Sequence, residues 1–504
     1  MRTLTHATIS AVYATGEEAV VRLVEQLVRR TVEQQDHIRA QQEQIKAQQQ
    51  ALVTLSARVK ELEDRGHTSS HNSSKPPSSD GLRRPPRSQR QSSGKKPGGQ
   101  AGHVGSALHM VEEPDQVITH SPAVCAGCQA SLVAVPAHGY ERRQVLDLPP
   151  RRLEATEHRA EEKTCPACQG RTRGMFPPEV TTRVQYGPQL KALLVYLLTY
   201  QLLPYERASE VVADLFGASL SEGTLQAAVE TCAETLTDVE AQIKGQLCAE
   251  DVLHNDETGV RVAGKLQWLH VTSTAQLTHY AVHAKRGSVA MTALGILPTF
   301  VGTSVHDGLA AYRQYACAHA LCNAHHLREL TAVEEHDHQP WATAMKDLLL
   351  AIKDHVAQQR ALGQDRIVPA VRQDFVQRYQ EIVAAGVAAN APPDPGPGSP
   401  RRGRIKQSKA KNLLDRLSTH QAAVLAFMDD WRVPFDNNQA ERDLRMVKVQ
   451  QKVSGCFRTP QGAETFCRIR GYLSTLRKHG EQLLPALHRV FTGHPLVPSG
   501  VAGQ

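Results

Sequence analysis

The residues Asp251-Val252-Leu253-His254-Asn255-Asp256-Glu257-Thr258-Gly259 begin a region of short β-like runs in this 504-residue chain. A helical stretch near 289–294 precedes the fourth run. The runs cover residues 252–254, 267–272, 279–283, 303–306 and 320–323. This order of three strands, helix, strand, helix, strand predicts a ribonuclease-H-like α/β core.

Two aspartates lie where such a core brings strands together. Asp256 is predicted to end the first strand, and Asp307, in His306-Asp307-Gly308, is predicted to end the fourth. The fourth strand lies beside the first in that topology, so we expect the two carboxylates to meet.

A third acid is expected from a later helix. In the sequence Asp436-Asn437-Asn438-Gln439-Ala440-Glu441-Arg442, Asp436 is a suitable N-cap and Gln439 would complete a capping box. At four-residue spacing Asn437, Glu441 and Arg445 share one helix face. Glu441 is therefore predicted to point towards one partner surface together with those two residues.

Clustered carboxylates repel one another unless they share hard divalent cations, which prefer oxygen ligands. Asp256, Asp307 and Glu441 thus predict a catalytic site that holds Mg²⁺ or Mn²⁺. Two such ions support in-line attack of water or a 3′ hydroxyl on phosphorus. With 51 acidic residues in the chain, the spacing alone also fits surface carboxylates and helix caps.

The N-terminal part, 17–65, carries a seven-residue repeat that predicts a coiled coil and favours self-association into a homo-oligomer. Three glutamines at d positions weaken the seam. The a positions are Val24, Thr31, Ile38, Ile45, Leu52 and Val59, and the d positions are Leu27, Gln34, Gln41, Gln48, Leu55 and Leu62.

Residues 66–105 are rich in Ser, Pro, Gly and charge, which predicts a disordered basic linker that neutralises DNA phosphates. Basic residues also cluster in 401–411 and 442–478. Any one run is equally compatible with a solvated surface. The candidate DNA-binding residues are Lys75, Arg83, Arg84, Arg87, Arg90, Lys95, Lys96, Arg445, Lys448 and Lys452.

Two CxxC pairs, Cys125 with Cys128 and Cys165 with Cys168, fall in a zinc-ribbon-like module, 106–178. Four thiolates in two such pairs match a structural Zn²⁺ site without an open coordination position. Sequence such as 143–148, between the pairs, favours β structure. Redox-silent surface thiols are the alternative.

The remaining boundaries follow from composition. Residues 179–248 are helical and fit either a DNA-binding helix-turn-helix or an ordinary helical hairpin. The core's first part, 249–335, precedes a helical insertion with a basic linker, 336–430, then the final helix and basic segment, 431–480, and a C-terminal tail, 481–504. No secretory signal or 18-residue apolar span is apparent, which predicts a cytoplasmic protein with reduced cysteines.

Several phrases together resemble the insertion-sequence-66 family of bacterial transposases over nearly the whole chain. They are His71-Asn72-Ser73-Ser74-Lys75-Pro76-Pro77-Ser78-Ser79-Asp80-Gly81, Lys95-Lys96-Pro97-Gly98-Gly99-Gln100-Ala101-Gly102-His103, the CxxC pairs, Asp256-Glu257-Thr258, Asp307-Gly308, and Asp436-Asn437-Asn438 with Glu441-Arg442. The tract Cys322-Asn323-Ala324-His325-His326-Leu327-Arg328 is also similar, although its histidine pair is usually structural.

This resemblance implies a DDE transposase with Asp256, Asp307 and Glu441 as its triad, a leucine-zipper-like segment and a zinc-finger-like domain. It further implies binding to the terminal inverted repeats of its own element and to target DNA, and help from accessory proteins of the same element. Two other functions compete: a non-catalytic zinc-containing DNA-binding regulator, and a ribonuclease-H-like nuclease that cuts without joining.

Overall fold

The computed structural model describes residues 5–67, 110–148, 152–391 and 407–498. At the N-terminus, α1 (His6–Ala14) precedes a 51-residue helix, α2 (Glu17–His67), which occupies the range predicted to form a coiled coil. The predicted basic linker lies almost entirely outside the described residues.

In the zinc-ribbon-like region the strands are β1 (Glu162–Thr164) and β2 (Arg171–Arg173), an antiparallel pair. The prediction of β structure at 143–148 was wrong, because that segment forms no strand.

A group of helices follows, comprising α3 (Pro188–Val195), a π-helix (Tyr196–Tyr200), α4 (Tyr205–Phe216), α5 (Glu222–Thr235) and α6 (Thr237–Cys248). The chain leaves the helical path after Tyr200, and Leu202 adopts a positive φ of 64°. The apolar sequence continues to Leu203, but the helical structure ends before it.

A five-stranded mixed sheet comes next. In chain order its elements are β3 (Val252–Val262), β4 (Lys265–Ser273), β5 (Thr278–His283), α7 (Ser288–Leu294), β6 (Thr303–His306) and β7 (Ala318–Leu321). The strand order across the sheet is β5-β4-β3-β6-β7. β3, β4 and β5 are antiparallel neighbours, whereas β6 pairs in parallel with both β3 and β7. The helix expected between the last two strands is only a three-residue 3₁₀ turn, Tyr312–Gln314.

The chain then becomes helical. The helices are α8 (Asn323–Asp337), α9 (Pro340–Ala361), α10 (Pro369–Ala389), α11 (Lys409–Thr419), α12 (Gln421–Asp429), α13 (Asn438–Val453), α14 (Pro460–Lys478) and α15 (Leu483–Phe491). α15 buries Leu483, Ala486, Leu487 and Val490, so the expected tail contains a packed helix. No helix in the described part of the chain is long and apolar enough to cross a membrane.

Apolar side chains hold the sheet against α13 and α14. One cluster joins Val260 and Leu269 of the sheet to Leu444 of α13, and another joins Leu253 to Leu473 of α14. Gly302, just before β6, permits close pairing with β3, because a Cβ there would lie 2.3 Å from the carbonyl oxygen of Asp251. The register of β6 beside β3 thus depends on a residue without a side chain.

Candidate active site

Strand pairing brings Asp256 and Asp307 together. The last registered pair between β3 and β6 is His254 with Val305, and the two aspartates lie two residues further on. Their carboxylate oxygens and that of Glu257 lie within 4.8 Å of one another. Asp307 follows the end of β6 as expected, but the prediction that Asp256 ends its strand was wrong. β3 continues to Val262 because its pairing with β4 continues.

Backbone groups fix both aspartates. The amide of Glu257 donates to Asp256 Oδ1 at 2.8 Å, and the amide of Leu309 donates to Asp307 Oδ1 at 3.0 Å. Between Asp307 and Leu309, Gly308 has a φ of +98°, a conformation that favours glycine. This turn directs the Leu309 amide back towards the carboxylate.

Glu257 is a member of the cluster that the sequence did not single out. Its side chain is fully buried, and Arg286 binds it through Nε and Nη2, each 2.9 Å from Oε1. The Tyr312 hydroxyl donates to Oε2 at 2.6 Å. Arg286 Nη2 also lies 4.0 Å from Asp307 Oδ2. The position of Glu257 next to Asp256 was a usable signal, but its partners are distant in sequence.

The cluster is electrostatically strained. Burial, then the negative charges of Glu257 and Asp307, and less strongly that of Glu441, raise the pKa of Asp256 well above its usual value. Burial and the charge of Asp307 also raise the pKa of Glu257, although Tyr312 and Arg286 counteract the rise. Such repulsion is the condition that a divalent cation would relieve.

Glu441 lies in a neighbouring group. Its Oε1 is 3.8 Å from His325 Nδ1, and the ligand atoms of Cys322, His325 and Glu441 lie within 4.8 Å of one another. The structure therefore places Glu441 within electrostatic reach of Asp256 but outside the cluster of Asp256, Glu257 and Asp307. In the sequence, nothing beyond the family similarity of 322–328 indicated that buried Cys322 and half-buried His325 would lie beside Glu441.

Asn437 positions the first turn of α13. Its side chain accepts a hydrogen bond from His254 Nδ1 and donates one to the carbonyl of Asn255, both at 2.8 Å. Its backbone amide donates to Cys322 Sγ at 3.1 Å. Asn437 thus joins the N-terminus of α13 to β3 and to the end of β7, one turn before Glu441.

The predicted cap of this helix was wrong. Asn437 is the N-cap residue, and its side chain makes no capping bond because β3 already engages it. Asp436 Oδ1 instead accepts the amide of Asn438 at 3.0 Å, and Gln439 bonds to Asp443 rather than completing a capping box. The face shared by Asn437 and Glu441 remains directed at the site.

The two CxxC pairs form matching turns. In each, the first cysteine donates its amide to a carbonyl five residues later, Ala130 or Gly170, and a glutamine with positive φ, Gln129 or Gln169, donates back to the cysteine carbonyl. Backbone amides within each turn lower the pKa of Cys125 and of Cys165. Amides directed at sulfur favour the thiolate that Zn²⁺ requires. Among the described residues, the four thiols do not form a group within 4.8 Å of one another.

The candidate DNA-binding residues differ in accessibility. Those of the basic linker, 75–96, lie outside the described residues. Arg445 and Lys452 are exposed on α13, whereas Lys448 is half-buried and donates to the Gly259 carbonyl at 2.8 Å. Two of the three N–H donors of Lys448 are thus directed at Gly259 and Gln451 within the fold.

Other basic residues of 442–478 stabilise the fold. Arg468 binds Glu240 at 2.6 Å, and buried Arg470 donates to backbone carbonyls of the π-helix. Lys478 donates to the carbonyls of Thr274 and Leu277. Part of the basic excess interpreted as a DNA-binding surface is therefore internal.

The second helix of the α4–α5 pair carries acidic rather than basic residues. α5, the second helix, contains Glu222, Glu230 and Glu234 and no Lys or Arg, and all three glutamates are exposed. Glutamates repel DNA phosphates, so this helix favours the interpretation as an ordinary helical hairpin.

Comparison with known proteins agrees with these features. A family model described as "Transposase IS66 family" matches residues 183–465, more than half of the chain, and one described as "zinc-finger binding domain of transposase IS66" matches residues 122–169. A model for a family of unknown function matches residues 15–109.

One curated relative is the uncharacterized protein y4hP of Sinorhizobium fredii (strain NBRC 101917 / NGR234). It is 22% identical over 408 residues, which cover 72% of this chain and 69% of the relative. Similarity therefore extends across most of both proteins.

Proposed function

This chain belongs to the IS66 family of transposases, and we propose that it cleaves and joins DNA strands in a divalent-metal-dependent reaction that moves an insertion sequence. Asp256, Asp307 and Glu441 would be its catalytic residues. The observation that carries the proposal is the convergence of the Asp256 and Asp307 carboxylates, with Glu441 within electrostatic reach.

The core would be ribonuclease-H-like. Its strand order, with an antiparallel β3–β4–β5 meander and β6 and β7 parallel to β3, supports this assignment. Its acids would come from the central strand, from the turn after the adjacent parallel strand and from a helix 134 positions beyond Asp307. Helices α9 to α12 lie in the intervening sequence and would form the insertion.

The residues present fit a hard divalent cation. Asp256 and Asp307 offer oxygen ligands in a partly buried, mutually repelling cluster, and Mg²⁺ and Mn²⁺ prefer such donors. Glu441 would supply the third carboxylate. When bound, such ions lower the pKa of an attacking water or 3′ hydroxyl and stabilise the leaving oxygen.

The chain's own groups would orient the reactants. Backbone amides hold the Asp256 and Asp307 carboxylates in fixed orientations. Asn437 anchors the helix turn that carries Glu441. Glu257 is engaged by Arg286 and Tyr312, so we assign it to holding Arg286 rather than to ligating metal.

The regions outside the catalytic core would mediate self-association, hold zinc and contact DNA. Apolar heptad residues of α2 are exposed in the single chain, including Val24, Ile38 and Leu52 at 51%, 52% and 64%, as expected if α2 pairs in a homo-oligomer. Cys125, Cys128, Cys165 and Cys168 would hold structural Zn²⁺. The basic linker, Arg445 and Lys452 would contact DNA phosphates, and accessory proteins of the element would assist.

The test is a strand-cleavage and strand-transfer assay on DNA that carries the element's ends, with Mg²⁺ or Mn²⁺ and supplied accessory proteins. We expect joined products from the wild type and none from Asp256→Asn. Cleavage without joining would favour the nuclease. DNA binding without chemistry in either protein, where a related active element works, would favour the regulator.

A further inference from the structure

Arg286 is a half-exposed cation held at the edge of a partly buried acidic cluster. It lies in the connection between β5 and α7, and 42% of its side chain is exposed, while the side chain of its partner Glu257 is fully buried. Both of its contacts with Glu257, through Nε and Nη2, involve a single carboxylate oxygen. The guanidinium is therefore fixed along one side and open to solvent in part.

The surroundings fix its position further. The Arg286 guanidinium lies over the Trp268 ring, 4.8 Å from the centroid. The adjacent Lys285 amide donates to His283 Nδ1 at 2.9 Å, and the Lys285 carbonyl contacts His270 Nε2 at 3.4 Å. A cation ordered in this way loses little conformational freedom when it binds a ligand.

We propose that Arg286 forms a binding site for a phosphodiester group of the DNA strand that lies at the Asp256–Asp307 carboxylates. This inference rests on the proposed function. Arginine has five N–H donors; Glu257 Oε1 accepts that of Nε, and Nη2 lies 2.9 Å from the same oxygen as an ion-pair contact. Among the described residues, no hydrogen bond from Nη1 is present, so its two N–H groups are available to phosphate oxygens.

Arg286 supplies a positive charge beside an otherwise acidic site. Asp256, Glu257 and Asp307 would repel a DNA strand. Arg286 is a cation that contacts two of these acids: it binds Glu257, and its Nη2 lies 4.0 Å from Asp307 Oδ2. Arginine binds phosphate through paired N–H donors. The guanidinium edge that Glu257 does not contact remains open to solvent, with 42% of the side chain exposed.

The experiment measures DNA affinity in EDTA, which separates binding from cleavage. The probe is a duplex of the element's end in which single phosphates are replaced, one at a time, by neutral methylphosphonates. Wild type, Arg286→Gln and the control Arg261→Gln are compared. Arg261 is exposed, and its Nη1 donates to Gly264 O at 2.9 Å.

In the wild type, we expect one methylphosphonate position near the cleaved bond to weaken binding about tenfold, as loss of one charge-assisted bond would. Arg286→Gln should bind unmodified DNA more weakly by a similar factor and should be insensitive to that position. Its affinity should also depend less steeply on salt, by about 0.9 in the logarithmic slope for one phosphate. Arg261→Gln should behave as wild type.

Arg286→Gln leaves Glu257 buried without its cation, so the double variant Glu257→Gln/Arg286→Gln provides a folded alternative in which neither charge remains. Equal methylphosphonate profiles in the wild type and in a folded Arg286 variant would overturn the proposal. The binding assay needs no cleavage. If the profiles are equal but the wild type joins strands and Asp256→Asn does not, only this inference is refuted. If Arg286→Gln loses the methylphosphonate sensitivity but no protein cleaves or joins DNA, only the proposed function would be refuted.

Discussion

Replacing Asp256 by asparagine is expected to stabilise the folded protein when divalent cations are absent, because the change removes a carboxylate that its neighbours repel. The oxygens of Asp256, Glu257 and Asp307 lie within 4.8 Å of one another. At that separation and an effective dielectric constant of about 20, two unit charges repel by roughly 3.5 kcal/mol. Arg286 offsets part of this repulsion. We therefore expect the free energy of unfolding to rise by about 1 to 3 kcal/mol at pH 8.

The sign of the pH dependence of the wild type's stability follows from the raised pKa of Asp256. Because the pKa of Asp256 is raised in the folded state, the folded protein binds more protons than the unfolded chain between the two pKa values. This carboxyl therefore makes the wild type less stable as pH rises from about 4 through the folded-state pKa. Asp256→Asn should lack that contribution, so the difference between the proteins should be smaller at pH 5 than at pH 8.

The assay is urea unfolding followed by circular dichroism, at both pH values, in EDTA and in Mg²⁺. Mg²⁺ should stabilise the wild type and reduce its difference from Asp256→Asn. The control is Asp365→Asn, since 89% of the Asp365 side chain is exposed, and it should change stability little. If Asp256→Asn is no more stable than the wild type in EDTA at pH 8, the repulsion inferred from the geometry is refuted.

Three further predictions concern the rest of the site and the zinc module. Glu441→Gln should abolish strand cleavage while DNA binding in a gel-shift assay stays nearly intact, because it neutralises the proposed metal ligand without changing its shape; parallel loss of binding would contradict this. Asn437→Ala should lower the free energy of unfolding by about 2 to 4 kcal/mol in urea titrations, because two buried partners lose their bonds; an unchanged midpoint would count against its positioning role. Cys128→Ser should lower the zinc content measured by mass spectrometry, whereas Cys456→Ser, at an exposed cysteine outside the CxxC pairs, should not; equal zinc in both would argue against the thiolate site.

The meeting of Asp256 and Asp307 could be predicted because it depends on strand order. The β-like run at 303–306 coincides with β6, and the expected placement of the fourth strand beside the first is found. Parallel pairing then carries the two aspartates to equivalent positions. The local sequence of the strands and the expected pairing of the fourth strand with the first were enough to predict that Asp256 and Asp307 meet.

The remainder depends on contacts that no local pattern encodes. Asp436 and Asn437 are both suitable caps, and only the pairing of Asn437 with His254 decides which role each has. Basic residues of 442–478 look alike in sequence, yet Arg470 is buried and Arg445 is exposed. Nothing in the sequence around Arg286 indicates that it lies at the site, because its place there depends on its contact with Glu257, 29 positions earlier.

Neutral hydrogen bonds, more than ion pairs, hold the scaffold beneath the carboxylates. Asn255 donates to Ser304 at 3.0 Å and accepts from Thr272 at 2.8 Å, which ties β3 to both neighbouring strands. Asn437 ties α13 to the same strand. Because these bonds do not involve Asp256, neutralising that residue should leave the scaffold intact and remove repulsion. If Asp256→Asn loses activity while gaining stability, the loss is due to the missing catalytic carboxylate. If an Asn437 variant loses both activity and stability, the loss is due to a disturbed scaffold.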